Sequence, residues 1–163
     1  MTEQEFSLLI KSDKYQVFLF ICRASIPFQF AGHSWFVINC KGDIKRFEVL
    51  FSKKKIMNES RHLYVDNQTP AQGIDSAPFV SNIFWKSKLI GSIEGGDDSL
   101  AAHMSEFIKK SENSYPYRNK YALLGPNSNT YISWIISHFP ESGFVLPKRC
   151  FGKNFKFGFD KNY

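Results

Sequence analysis

The sequence predicts an α+β protein in which an antiparallel β-sheet packs against two main helices. Two β-branched and aromatic runs, 16–23 and 32–39, precede a turn typical of β-hairpins and a third run, 44–51. Two later segments, 100–110 and 131–139, carry apolar residues at helical spacing. Aromatic residues make up 17% of the chain, which is enough to fill a dense core and excludes a disordered protein.

The length and composition predict one globular domain over residues 1–163. A chain of this size buries roughly two-thirds of the surface that its unfolded form exposes. Its longest apolar run, Val17 to Cys22, falls far short of the roughly 20 residues that cross a bilayer. The N-terminal residues lack the pattern of a secretory signal, so we expect a cytoplasmic protein with no membrane span. Three cysteines without a CxxC pair indicate reduced thiols rather than disulfides or structural zinc.

The central hairpin is the best-defined element. Its strands are apolar on both faces, which indicates a sheet that is covered on both sides. The turn lies at Cys40-Lys41-Gly42-Asp43, and if Lys41 and Gly42 are its central residues, the numbers of cross-strand partners sum to 83. A turn centred on Gly42 and Asp43 would leave the same residues on each face. Shorter β-like stretches at 62–65 and 83–93 extend the predicted sheet.

Two helices and an aromatic tail follow. Asp97-Asp98-Ser99 offers caps and first-turn acids to a helix that we expect to end near Lys110. The turn 125–130 suits the start of a second helix, over 131–139. From Phe144 onward, alternating phenylalanines predict either a last edge strand or an aromatic clasp over the core.

A histidine and a carboxylate share one face of the predicted hairpin. His33 begins the second strand, where it is either a satisfied core residue or a general base. The register places Glu48 diagonal to His33, and a carboxylate there can fix the imidazole tautomer and stabilise the imidazolium. Alternatively, Glu48 pairs with Arg46, Lys45 or a surface lysine, which would contribute little stability in an exposed setting.

Ser128 lies in the first turn of the last predicted helix. There it is either part of the helix cap or a nucleophile among unpaired backbone N–H groups. A serine hydroxyl stays protonated at neutral pH, so Ser128 can be a nucleophile only if His33 reaches it. In that case the nearby backbone N–H groups, with Asn127 or Asn129, would serve as oxyanion donors.

Several short motifs resemble those of an uncharacterised bacterial family that carries H-[ST]-W followed by Y-x-x-x-G-P-N-S-N-T. The resemblance covers residues 20–155, and no activity is assigned to that family, so it implies little about function. The matching motifs are His33-Ser34-Trp35, Arg46-Phe47-Glu48-Val49, Tyr117 and Tyr121 ahead of Gly125-Pro126-Asn127-Ser128-Asn129-Thr130, Leu146-Pro147 and Gly152-Lys153.

The order of these features is also similar to circularly permuted papain-like enzymes, including permuted NlpC/P60 proteins, lecithin:retinol acyltransferase relatives and the PPPDE group. Those families have cysteine where this chain has serine. The resemblance implies an NlpC/P60-like architecture and a hydrolase or acyltransferase for an amide, ester or thioester. Ser128 would attack, His33 would act as base and Glu48 would orient it, while Trp35 and Tyr121 would contact the substrate.

A catalytically inactive binding module is the alternative, because a serine at the nucleophile position is also what a degenerate member would carry. The net charge of +6 suits an anionic ligand or a protein partner. Segment 41–62 carries seven Lys or Arg against three acids. Basic and aromatic residues also suit nucleic acid, but no RRM, KH, helix-turn-helix or zinc signature is present, so nucleic acid ranks below a small-molecule, peptide or lipid substrate.

No cofactor or metal is expected. The acidic group of Glu94, Asp97 and Asp98 could bind a divalent cation through oxygen ligands. Helix capping explains these acids more simply.

Overall fold

A computed structural model describes residues 1–25, 27–51, 55–56, 59–60, 62–74 and 86–157. Seven strands and three helices lie in this part of the chain. The strands are β1 (Tyr15–Arg23), β2 (Gly32–Cys40), β3 (Asp43–Val49), β4 (Lys55–Ile56), β5 (Glu59–Ser60), β6 (Leu63–Val65) and β7 (Lys88–Gly95). The helices are α1 (Glu3–Ser7), α2 (Leu100–Ser114) and α3 (Ser128–His138), followed by a 3-10 turn at Pro140–Ser142.

Five of the strands form one antiparallel sheet in the order β6-β3-β2-β1-β7, while β4 and β5 pair separately. The predicted α+β class with an antiparallel sheet is therefore confirmed. Strand β6 lies within the β-like stretch that the sequence predicts at residues 62–65. Strand β7 begins at Lys88, inside the predicted stretch 83–93, and continues to Gly95, whereas residues 83–85 lie outside the described residues.

The hairpin of β2 and β3 has the predicted register. Lys41 and Gly42 have φ angles of 53° and 100°, the left-handed conformations of a two-residue turn that matches the twist of the strands. Cys40 pairs with Asp43 and Phe36 with Phe47, so the numbers of the partners sum to 83. This pairing fixes which residues of β3 lie beside the start of β2.

Helix α2 begins after Ser99, whose side chain accepts a hydrogen bond from the backbone of the first turn. It ends at Ser114, four residues beyond the predicted end at Lys110. A tertiary contact accounts for the extra turn, because the buried Ser111 hydroxyl lies 2.7 Å from the hydroxyl of Tyr131 on α3.

Helix α3 begins at Ser128, inside the turn 125–130 that the sequence predicts as its start. Asn127 is its N-cap, and its side chain accepts hydrogen bonds from two backbone N–H groups of the first turn. The helix ends at His138, ahead of Pro140 as predicted. Ser128 is thus the first helical residue and not the cap itself.

The aromatic tail forms no strand within the described residues 144–157. Phe155 packs edge-to-face on Tyr117 with ring centroids 5.3 Å apart, and Phe157 packs against Phe155. Of the two predictions for this tail, these contacts favour the aromatic clasp.

Both faces of the sheet are covered. One face packs on α2 and α3, and the other packs on α1 and the segment 66–74. Side chains alternate between the faces along a strand, so Trp35 and Val37 face α1 while Phe36 and Ile38 face the two long helices. No helix in the described residues is long and apolar enough to cross a membrane.

Candidate functional site

A buried histidine–carboxylate pair lies at the open end of the β2–β3 hairpin. His33 Nε2 lies 3.1 Å from Glu48 Oε2, and both side chains are almost completely buried. This contact follows from the confirmed register, which brings a residue near the end of β3 beside the first residues of β2. The predicted proximity of Glu48 to His33 is confirmed.

Arg46 is the third member of this group, and it is fully buried. Its Nη2 donates to Glu48 Oε2 at 2.7 Å, and its Nη1 donates to the carbonyl oxygens of Thr69 and Gln72. The guanidinium carbon lies 4.2 Å from the ring centroid of Trp35. Glu48 therefore contacts both the histidine and the arginine, so the predicted contact with His33 and the alternative pairing with Arg46 are both present. Buried charges need such pairing to offset lost hydration.

The environment of Glu48 keeps it ionised. Burial acts to raise its pKa, but the hydrogen bond and charge of His33 and the charge of Arg46 outweigh burial and lower the pKa. An ionised carboxylate only accepts hydrogen bonds, so His33 Nε2 must be the donor. In a neutral imidazole, Nδ1 then carries the lone pair and can act as a base.

The other ring nitrogen of His33, Nδ1, belongs to a side chain that is only 4% exposed. Within the described residues, Nδ1 makes no hydrogen bond and is not among the fully buried atoms that lack a partner. His33 lines a cleft of about 350 Å³ that Ser128 and Tyr121 also line. The cleft is completed by Ala24, Ser25, Phe28, Ala31, Gly32, Leu50, Phe51, Gln68, Ile74, Leu123, Asn127, Asn129 and Phe151.

Ser128 presents two polar groups near this cleft. Within the described residues, neither its hydroxyl nor its backbone N–H makes a hydrogen bond. No hydrogen bond joins Ser128 Oγ to His33. Ser34 donates a hydrogen bond to Asn129 on α3, so His33, the next residue on β2, faces the side of the sheet opposite α3, although His33 and Ser128 both line the cleft.

Asn127 and Asn129 use their amide groups to hold the start of α3 in place. Asn127 Nδ2 donates to the carbonyl oxygens of Ala122 and Leu123 at 3.3 and 2.8 Å. Asn129 Nδ2 donates to the carbonyls of Gly32 and Phe151 at 2.9 and 2.8 Å. These side-chain donors are all occupied, whereas the Ser128 N–H has no acceptor in the part of the chain that the structure describes.

Trp35 and Tyr121 have different surroundings. Trp35 is fully buried, its Nε1 donates to the Pro70 carbonyl, and its ring stacks on His33 at 5.7 Å, so it supports the imidazole from behind the cleft. Tyr121 lines the cleft and packs against His62 and Phe51. Burial raises the pKa of the Tyr121 hydroxyl, which keeps it a neutral hydrogen-bonding group.

No cysteine lines the cleft. Cys22 is opposite His33 in the β1–β2 ladder, but burial raises its pKa to about 11, and Cys150 has a pKa of about 11 for the same reason. Thiols with such pKa values are almost entirely protonated at neutral pH and are poor nucleophiles. Cys40 lies at the far end of β2.

Two of the three acids ahead of α2 pair with lysines. Glu94 pairs with Lys11 and Asp97 with Lys41. The first turn of α2 contains no acidic residue, so the predicted first-turn acids lie outside the helix and Ser99 alone provides the cap. Within the described residues, no group of three His, Cys, Asp or Glu side chains could hold a metal ion.

Arg46 belongs to the site, whereas the sequence indicated it only as an alternative partner of Glu48. Arginine on a strand with apolar neighbours signals a buried ion pair, and this signal was available in Arg46-Phe47-Glu48-Val49. The carbonyl groups that accept from Arg46, however, belong to residues after β6. No sequence pattern indicates that this segment packs against the hairpin.

The family is shown by a match over most of the chain. The model of the family described as "Protein of unknown function (DUF3750)" matches residues 14–155. The chain belongs to this family. The match includes every residue of the His33–Glu48–Arg46 group and the start of α3. No curated protein and no solved structure matches the chain at a significant level.

Proposed function

We propose that this DUF3750 protein is a hydrolase or acyltransferase for an amide, ester or thioester, with Ser128 as nucleophile. The observation that carries the proposal is the hydrogen bond between His33 and Glu48 beside the cleft. Because Glu48 accepts from His33 Nε2, Nδ1 is the nitrogen of a neutral imidazole that can act as a base, and His33 and Ser128 line the same cleft. A base oriented by a carboxylate and a hydroxyl at the same cleft are the parts that nucleophilic acyl transfer requires.

In the proposed reaction, Ser128 Oγ forms a bond to the substrate carbonyl carbon while its proton passes to His33 Nδ1. The resulting oxyanion accepts a hydrogen bond from the Ser128 N–H. The intermediate then collapses, the leaving group departs with the proton from His33, and an acyl-serine remains. Water or an acceptor alcohol or amine attacks this ester by the same proton path and regenerates the serine.

Glu48 and Arg46 have positioning roles in this scheme. The carboxylate holds the imidazole and stabilises its positive charge when Nδ1 takes the proton. Because Arg46 lowers the pKa of Glu48, the carboxylate does not take the proton itself. Ser128 and His33 are not hydrogen-bonded in the free protein, and such contacts commonly tighten only when substrate binds.

A permuted papain-like scaffold is part of the proposal. The chain order of a strand histidine, a carboxylate on the next strand and a nucleophile at a helix start supports it. The antiparallel sheet with a helix packed on one face supports it as well.

Labelling with a fluorophosphonate probe tests the proposal. Wild-type protein should be labelled, Ser128→Ala should not, and His33→Ala should be labelled at least about 100-fold more slowly because the general base is lost. Ser137→Ala is the matched control, since Ser137 lies on the same helix and its hydroxyl donates to the Trp134 carbonyl. Equal labelling of wild type and Ser128→Ala would refute the assignment.

The alternative is a binding module without catalysis. The absence of a hydrogen bond between Ser128 and His33 and the serine in place of cysteine favour it. A folded wild-type protein that resists the probe, together with unchanged ligand binding by Ser128→Ala, would support this alternative.

A further inference from the structure

Exposed apolar side chains surround the mouth of the cleft. The described residues include nine large hydrophobic side chains with substantial exposure, and six of them lie here. Four line the cleft, Phe30 packs on the rings of two of those four, and Leu124 follows a lining leucine in the chain. We call these six residues the apolar rim: Phe28, Phe30, Phe51, Leu123, Leu124 and Phe151.

The rim is exposed to a degree that packing does not explain. Phe30 is 65% exposed, Phe51 61% and Leu124 73%. Single exposed apolar residues are ordinary, but a contiguous apolar patch beside a cleft marks a surface that meets an apolar partner. The rim comes from four separate segments of the chain, so its clustering is a property of the fold.

We call the basic residues that flank the rim in the sequence its basic border. The rim segments 23–32, 118–124 and 148–153 contain six Lys or Arg residues and no Asp or Glu. Five of the six side chains are exposed. The six are Arg23, Arg118, Lys120, Lys148, Arg149 and Lys153.

We propose that the apolar rim and its basic border dock on an anionic lipid surface, with the rim side chains entering the lipid interface. Apolar side chains supply the partition into the interface, and lysine and arginine attract the anionic headgroups. The docking itself does not depend on the chemistry of Ser128. If the proposed acyl transfer also holds, the substrate is an acyl lipid that enters the cleft from the membrane.

Co-sedimentation with phosphatidylcholine vesicles, with and without phosphatidylglycerol, tests the docking. Wild-type protein should bind the vesicles that contain phosphatidylglycerol and bind pure phosphatidylcholine far more weakly. Phe30→Ser and Phe51→Ser should each weaken binding about tenfold, because each removes one large apolar side chain from the interface. Leu8→Ser is the control. Leu8 is 85% exposed but lies in the segment that packs near Gln16, at the opposite end of β1 from the cleft.

Charge variants separate this surface from the general charge of the protein. Lys120→Glu combined with Lys148→Glu should weaken binding at least about tenfold, whereas Lys110→Glu on α2 should have a much smaller effect. Ser128→Ala should bind like wild type, so loss of probe labelling and loss of docking are separate results. Failure of the folded wild-type protein to bind the phosphatidylglycerol vesicles would overturn the proposal. Equal weakening by Leu8→Ser and Phe30→Ser would overturn it too.

Discussion

Replacing Glu48 by glutamine tests the buried ion pair that underlies the site. The change keeps the size of the side chain and a carbonyl oxygen that can still accept from Arg46. It removes the negative charge opposite an arginine with no exposed surface. Glu48→Gln therefore leaves a buried cation whose remaining acceptors, the carbonyls of Thr69 and Gln72 and the amide of Gln68, are all neutral.

The expected loss follows from this geometry. Removing one partner of a buried ion pair typically costs about 3–5 kcal/mol, and the neutral acceptors around Arg46 place this case near the lower end. We expect Glu48→Gln to lower the free energy of unfolding by about 3 kcal/mol. For a chain of this length, that corresponds to a decrease in Tm of about 6–12 °C.

Urea unfolding followed by circular dichroism measures the difference. Glu106→Gln is the matched control, because Glu106 makes a 2.9 Å pair with Lys109 on the exposed face of α2. That pair should contribute at most about 1 kcal/mol. If Glu48→Gln cost no more than Glu106→Gln, water would be solvating Arg46 and the reasoning about burial would be wrong.

Three further predictions follow from individual groups. Because the pKa of Glu48 is lower in the folded than in the unfolded state, its stabilising contribution is present above the unfolded pKa and disappears as pH falls through the folded pKa. The stability difference between wild type and Glu48→Gln should therefore shrink in acid-titrated urea melts. Cys22 and Cys150, with pKa values of about 11, should react with iodoacetamide far more slowly in the native protein than in denaturant, as mass spectrometry would detect. Gly152→Ala should destabilise more than Gly143→Ala in thermal melts. Both glycines have positive φ, but only at Gly152 would the new Cβ meet side-chain atoms, the nearest 2.6 Å away, in the amide that caps α3.

The hairpin shows how much of the site could be predicted. Lys41-Gly42 has the turn chemistry that fixes a two-residue loop, and the alternation of side chains then determines that Glu48 lies beside His33. The start of α3 could also be predicted from the sequence, because an asparagine followed by small polar residues favours a helix cap.

The roles of the two asparagines in that turn were less accessible to sequence analysis. Their side chains were predicted as oxyanion donors, but in the structure Asn127 donates to the nearby carbonyls of Ala122 and Leu123, and Asn129 donates to the carbonyls of the distant Gly32 and Phe151. Contacts between residues that are far apart in the chain leave no local pattern. The longer α2 has the same origin, since a hydroxyl contact between Ser111 and Tyr131 extends it.

The sequence by itself determined the α+β class, the central hairpin with its register and the helix that begins at Ser128. These features depend on local turn chemistry and on the periodicity of apolar residues, and both are set by residues that are close together in the sequence. Only the tertiary structure decided that Arg46 joins the His33–Glu48 pair, that Ser128 and His33 line one cleft and that exposed apolar residues gather at its mouth. These features arise where separate segments pack together, and long-range packing depends on the whole fold.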